Sequence, residues 1–324
     1  MAKREPRKQP TTGGLAKSKS RFVTSILVPL LIYQSLGVFI LGWAFVLMFY
    51  NYSSGRLGGP ILGLGGSNPF VGLGNFIQMF EGVSVKSRLF LTSLKNTLIF
   101  AFAVLPLNLM ITLPLAYLLE NISNRVKALY RAIYFLPVLM SSVGVAIIWQ
   151  SMYDPQAGWI NSILRFFGAQ PVAWLSDPRA GFMGISVALW SVILAYLWQD
   201  YGYNMVIFIA ALQGIPQDLK DAALIDGATP WQTFRLITIQ LIRPTFLFVS
   251  VMTMISSFQV FDIIQVMTNG GPGNKTQVLM LDIYKNAFRH ADLGWAAAES
   301  FILFLIVMAV TLFQMRVLRT DWEY

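Results

Sequence analysis

Apolar residues in this chain fall into long unbroken runs, and they do not alternate with polar ones at the period of a half-buried strand. A helix needs about 20 predominantly apolar residues to cross the hydrocarbon core of a bilayer. Six windows reach that length: residues 26–50, 95–120, 131–154, a fourth from 182, a fifth from 244, and 293–315, interrupted only by Glu299. The fourth needs arbitration, because residues 182–215 carry Asp200 as their single charge. Two spans there would leave thirteen residues after Gly202, too few to cross. One straight helix of that length would measure about 50 Å, longer than the bilayer is thick. The pattern predicts a single span that kinks near Gly202 or projects beyond the membrane. The expected fold is all-α, a polytopic membrane protein with six transmembrane helices, and not a β-barrel.

Composition agrees. The chain has 324 residues, of which 56% are hydrophobic and 12% charged, whereas a soluble domain carries about 25% charge. Its net charge of +9 is concentrated at the start, in Lys3, Arg4, Arg7, Lys8, Lys17, Lys19 and Arg21. Such a cluster is an orientation signal with affinity for anionic lipid, not a nucleic-acid surface. With the N-terminus inside, fifteen Lys and Arg fall on the cytoplasmic side and nine in the outer loops. The expectation is therefore two cytoplasmic termini and external loops at about 51–95, 153–181 and 268–292. The first of these is rich in glycine and should be irregular. Cysteine is absent and His290 is the only histidine, which excludes disulfides, Fe–S clusters, thiolate zinc sites and multi-histidine metal sites. The apolar stretch after Arg21 is too long for a cleaved signal peptide.

Residues 216–244 hold the most informative loop. In Gln217–Ile225, Asp218 and Asp221 sit early, where a helix N-terminus favours negative charge. Asp226-Gly227 stops this helix, because glycine accepts the left-handed conformation. Thr229-Pro230 restarts the chain as N-cap and first helical residue, and a second helix follows over 231–242. Ala222 and Ala223 are small enough to let such a knob sit in another protein's groove. Read alone, the segment fits an ordinary interfacial helical hairpin as well as a docking knob.

The motif Asp221-Ala222-Ala223-x-x-x-Gly227, followed by Ile237, resembles the E-A-A-x3-G loop of ABC importer permeases. Asp221 replaces that family's glutamate, and Gln240 stands where a proline is usual. The resemblance runs from about Phe70 to the C-terminus. It includes Phe70-Val71-Gly72-Leu73-Gly74-Asn75-Phe76, Pro137, Trp149, Gly158, Asn161, and Thr268-Asn269-Gly270-Gly271-Pro272-Gly273 with Tyr284, Ala287 and Phe288. Together these are similar to carbohydrate permeases of the MalF and UgpA type. The resemblance implies the type I ABC importer permease fold, with Asp218, Asp221, Ala222, Ala223, Gly227 and Ile237 on a cytoplasmic coupling helix that docks the ATPase. It divides the chain into a basic tail at 1–21, a first helix and outer loop at 22–91, the permease domain at 92–315 with its coupling loop at 216–243, and a tail at 316–324. The implied partners are a second, related permease subunit, two ATP-binding cassette subunits and an extracytoplasmic sugar-binding protein, in a bacterial inner membrane. ATP and magnesium would belong to the ATPase. The run Gly270–Thr276 mimics a phosphate loop, but Asn274 and Asn269 occupy the places that need glycine, so this chain should bind no nucleotide, hold no cofactor and catalyse no reaction.

Ionisable groups inside a span cost about 2.5–3.5 kcal/mol on insertion scales and point to function. Tyr196, Gln199, Asp200 and Tyr203 follow i, i+3, i+4, i+7 spacing and share one helical face. Ser250, Thr253 and Ser257 do the same in the fifth span. Aromatic faces with amides, hydroxyls and a carboxylate suit a sugar, so Tyr196, Gln199, Asp200, Tyr203, Thr253 and Ser257 are candidates for the substrate pathway. Hydrogen bonding between helices explains the same residues. Glu299 is expected to snorkel or to pair with a neighbour. The outer loops hold nine Lys and Arg against five acids, a balance that permits an acidic oligosaccharide. An ion-coupled transporter using Asp200 would need inverted repeats, and an intramembrane transferase would need an acid–base pair or metal cluster. The sequence displays neither.

Overall fold

The computed structural model of the protein describes residues 12–55, 58–59, 63–120 and 122–318. Lys3, Arg4, Arg7 and Lys8 of the basic tail, and residues 319–324 of the final tail, lie outside the described residues. The described chain is a helical bundle with two minor strand pairs. Its long helices are α1 (Thr12–Leu47), α3 (Val85–Glu120), α7 (Val187–Gln213), α11 (Arg243–Phe258) and α14 (Leu293–Leu318). Shorter ones connect them: α2 (Gly74–Glu81), α4 (Asn124–Phe135), α5 (Ser142–Met152), α6 (Trp159–Phe166), α8 (Gln217–Ile225), α9 (Pro230–Thr233), α10 (Ile239–Leu241), α12 (Asp262–Met267) and α13 (Leu279–Tyr284).

Among the described residues, four helical stretches are long and apolar enough to cross a membrane: 22–47, Val85–Glu120, 243–267 and Leu293–Leu318. A fifth is a pair, 126–139 and Ser142–Met152, bent by 98°. Helix α7 completes the set of six at 27 residues, about 40 Å; its polar centre, Gln199 to Asn204, dilutes its apolar character.

Two expectations need correction. The third window is broken rather than straight. Pro137 has no N–H for the helical ladder, and after a short 3-10 turn the backbone of Met140 and Ser141 becomes extended (ψ 145° and 138°) before α5 begins. The fourth window runs unbroken through Gly202, which removes the kink and leaves the other expectation, a span that projects beyond the membrane. That glycine permits a close approach: a Cβ there would lie 2.1 Å from the Tyr134 carbonyl oxygen, so α7 presses directly on the end of α4.

Helices α3 and α7 form the most extensive pair in the bundle. Their apolar contacts fall into two layers. One, around Phe100, Val104, Val192 and Leu197, joins α5 and α12. The other, around Ala116, Met205, Phe208 and Leu212, joins α11. A third cluster packs α14 on α3, α11 and the end of α1 through Phe90, Phe258, Trp295 and Ile302. Helix α1 joins only at its last turn: 6% of its apolar window is buried.

One end of the bundle gathers the three segments expected outside. The glycine-rich stretch, expected to be irregular, forms a short antiparallel pair, β1 (Gly58–Gly59) with β2 (Gly63–Gly66). A second pair, β3 (Gly181–Phe182) with β4 (Ile185–Ser186), leads into α7. Lys86 pairs with Asp292 and lies over the Trp295 ring. Glu299 does not snorkel. It is fully buried and accepts hydrogen bonds from Trp295 Nε1 (2.8 Å) and Asn286 Nδ2 (3.1 Å). Beside it, buried Asp282 accepts from Gln277 Nε2 and Ser93 Oγ.

Candidate functional site

Between the two apolar layers of the α3–α7 pair lies a layer of polar side chains. Asn108 of α3 donates from Nδ2 to Asp200 Oδ2 at 2.8 Å. Asn204 Nδ2, one turn below Asp200, donates to Asp200 Oδ2 (3.1 Å), Asn108 Oδ1 (2.9 Å) and Thr253 Oγ1 of α11 (3.0 Å). Asn108, Asn204 and Thr253 are buried. Asp200 is half-buried, because its other side opens on a cavity of about 240 Å³. The network thus ties three helices to one carboxylate and leaves that carboxylate facing open space.

Val138, Ser142, Tyr196, Gln199, Asp200 and Tyr203 line the cavity. The four residues expected on one face of the fourth span therefore share one wall. The bend between α4 and α5 forms the opposite wall, and Gln199 secures it by donating from Nε2 to the Met140 carbonyl (3.1 Å) and Ser142 Oγ (3.3 Å). This partly replaces the bonding lost where the helix breaks. Tyr196 is bonded to Ser256 Oγ at 3.1 Å and sets its ring edge-on to Phe100. Tyr203 remains 43% exposed, its ring available to a ligand.

The structure separates the fifth-span candidates from this wall. Ser250, Thr253 and Ser257 are buried, and the hydroxyls of Ser250 and Ser257 donate to carbonyls one turn back, those of Phe246 and Thr253. Sequence reasoning did not find Asn108, Asn204 or Val138. Asn204 had a usable signal, its position four residues after Asp200; Asn108 is a lone amide 92 residues from its partner.

The second candidate surface is the knob between α7 and α11. Helix α8 closes with a Schellman motif: Gly227, at φ 75°, donates to Leu224 O, and Ala228 N donates to Ala223 O. Thr229 and Gln232 then form a capping box with Pro230 in the first helical position. The second helix widens into a π turn over Phe234–Thr238 before α10. Asp218, Asp221, Ala222 and Gly227 are exposed, and Asp221 accepts from Gln217 Nε2 at 3.0 Å. Ala223 is buried within the knob and Ile237 is half-buried, so neither is freely presented. The bare apolar tip is instead Leu224 and Ile225, 64% and 86% exposed. Tyr117 of α3 meets Phe234 at 4.5 Å between ring centroids. The knob therefore rests on the helix that carries Asn108.

Comparison with known proteins follows the same lines. Residues 112–320 match the family described as binding-protein-dependent transport system inner membrane component. The sn-glycerol-3-phosphate transport system permease protein UgpA of Yersinia pestis is 35% identical over 80% of this chain and 83% of its own. The lactose transport system permease protein LacF of Rhizobium radiobacter is 33% identical over 76% of this chain and 80% of its own. A chain in the crystal structure of a bacterial alginate ABC transporter, in complex with an alginate pentasaccharide-bound periplasmic protein, superposes with a TM-score of 0.74 at 22% identity. It covers 94% of this chain and 97% of that one, and the two share a fold.

Proposed function

The chain belongs to the family of binding-protein-dependent transport system inner membrane components, and on that premise we propose that it moves a sugar or oligosaccharide inward by alternating access, driven by a separate ATPase. It is an ABC importer permease and a multi-pass membrane protein. The relatives named for glycerol phosphate and lactose support a carbohydrate-sized cargo. In this reading both termini and the knob are cytoplasmic, and the loop end receives cargo from an extracytoplasmic sugar-binding protein. One knob serves one ATPase, so the complex holds two ATPase subunits and a second, related permease. ATP and magnesium sit on the ATPases.

The observation that carries the proposal is the path from knob to cavity. Leu224 and Ile225 present an apolar tip, with Asp218 and Asp221 beside it, for a groove on the ATPase. The knob joins α7 to α11 and touches α3 through Tyr117, and these three helices hold the Asn108–Asp200–Asn204–Thr253 layer. Closing of the ATPases would push the knob, and a shift of one helix against another would open or shut the cavity beside Asp200. Tyr203 offers a sugar an apolar ring face, while Gln199 and Asp200 offer polar contacts. Proteoliposomes carrying the complex with its ATPase and receptor provide the test. Uptake should require ATP and both partners; uptake driven by an ion gradient without ATP would overturn the reading.

A further inference from the structure

Two lysines share one recess at the loop end of the bundle. Lys95 of α3 and Lys275, two residues after Gly273, line a cavity of about 380 Å³ between α3, the β3–β4 pair and the start of α7. The rest of its wall is polar but uncharged, as at Thr92 and Asn96, or apolar, as at Ile99 and Leu189. Among the described residues the salt bridges lie elsewhere, joining Lys86 to Asp292 and both Lys127 and Arg131 to Glu120. Among the described residues no carboxylate is within ion-pair distance of either lysine. Like charges in a recess with low-dielectric walls concentrate potential there and draw in anions.

The recess is built rather than incidental. Asn96, next to Lys95, donates from Nδ2 to the carbonyls of Asn274 (3.0 Å) and Gln277 (2.9 Å). Ser186 Oγ donates to the carbonyl of Lys275 itself at 3.4 Å. The backbone around Lys275 is thus pinned on both sides to the helix that carries Lys95, so the two exposed lysines border one opening from fixed backbone positions. The recess and the cavity already described are separate openings that border the same helix. Leu189, Tyr196 and Asp200 are spaced i, i+7, i+11 on one face of α7, so the two openings are about 16 Å apart along a single helix.

We propose that this recess is an anion site, in which a carboxylate or phosphate group on a sugar-sized solute binds between Lys95 and Lys275 before the solute passes to the cavity beside Asp200. The inference rests on the importer reading and its orientation. A neutral sugar gains nothing from the pair, so the site selects for charge at the mouth of the pathway. Rival occupants are a lipid headgroup phosphate and an acidic side chain of a docked receptor.

Lysine reactivity reads the site directly. The assembled complex, in nanodiscs of zwitterionic phosphatidylcholine with no net charge, is acetylated with an amine-specific reagent and each lysine is followed by mass spectrometry. Trigalacturonate or glucose 6-phosphate should slow acetylation of both Lys95 and Lys275 severalfold, while maltotriose leaves it unchanged. Lys95→Gln should remove the protection of Lys275 and weaken binding of the anion about tenfold, the order expected for one lost bond to a charged group. Lys86→Gln, whose native partner is Asp292, should leave both effects in place. Equal labelling with and without either anion overturns the proposal. So does protection that appears only with phosphatidylglycerol in the disc, or only on adding the receptor without solute. ATP-dependent uptake measured on the same preparation separates the two failures: neutral-sugar uptake without lysine protection removes the anion site and leaves the importer standing.

Discussion

Asp200 is the charge around which the middle of the bundle is organised, and its partners decide what a substitution there does. Asn108→Leu removes the 2.8 Å bond to its carboxylate and leaves Asn204 as the remaining donor. A hydrogen bond to a charged group contributes roughly 1.5–3 kcal/mol, so the variant should lower the melting temperature of the complex and, with it, the yield of assembled protein. Asp200→Asn and Tyr203→Ala act differently if this wall touches cargo. Uptake per assembled complex in proteoliposomes should then fall about ten- to a hundredfold, with assembly and basal ATPase activity retained. Unchanged uptake per complex would take these side chains out of the pathway. The sequence displayed the Tyr196–Tyr203 face, because helical spacing alone places those residues together. It could not display Asn108, since nothing local to residue 108 encodes which helix will lie against it. Ser250, Thr253 and Ser257 at the same spacing in α11 looked equivalent, but the two serine hydroxyls bond within their own helix and Thr253 is taken up by Asn204, distinctions that spacing does not report.

At the scale of elements, the knob was legible nearly to the residue, and the broken third span was not. Caps and turns are local chemistry, written in Gly227, Thr229, Pro230 and Gln232 themselves. The 98° bend is a tertiary outcome: Pro137 weakens one turn, but Gln199 on another helix fixes where the chain goes next. Gly202 shows the same limit, since a glycine in a span reads as a kink until the neighbouring backbone is in view. Gly202→Ala should force α4 and α7 apart and reduce folded protein, measurable by gel filtration of detergent extracts. Gly227 stands in open space at φ 75°, so Gly227→Val strains the backbone alone. The left-handed conformation costs an ordinary side chain about 1–2 kcal/mol. Membrane insertion should survive, while ATP hydrolysis becomes uncoupled from uptake or the ATPase no longer co-purifies. Normal coupling in Gly227→Val and in Asp221→Lys would dismiss the knob as the docking element.

For the whole molecule, the cysteine-free sequence makes orientation directly measurable. Single cysteines at Ser67, Ala169 and Asn274 should react with an impermeant reagent in intact cells, and those at Ser123 and Thr229 should not. Outside labelling at Thr229 would invert the proposed topology. The loop end carries a pH dependence as well. Burial raises the Asp282 carboxyl above the ordinary carboxylate range, so the folded protein keeps that proton to higher pH than the unfolded chain. Stability from this group is present at low pH and is lost as pH rises through the raised folded value. Melting temperature followed against pH should show this loss, and Asp282→Asn should reduce it, the buried Glu299 beside it remaining. Helix α1 presents a different consequence. With 6% of its apolar window buried, it adds almost nothing to the fold of the remainder, yet it precedes the other described spans in the chain and reaches the translocon before them. On the proposed topology biogenesis would be divided in time: α1 would set the direction in which the chain threads the membrane, and the later helices would assemble without waiting on it. A chain begun just before Trp43 should melt where the full-length protein does once inserted, but arrive in the membrane with mixed orientation.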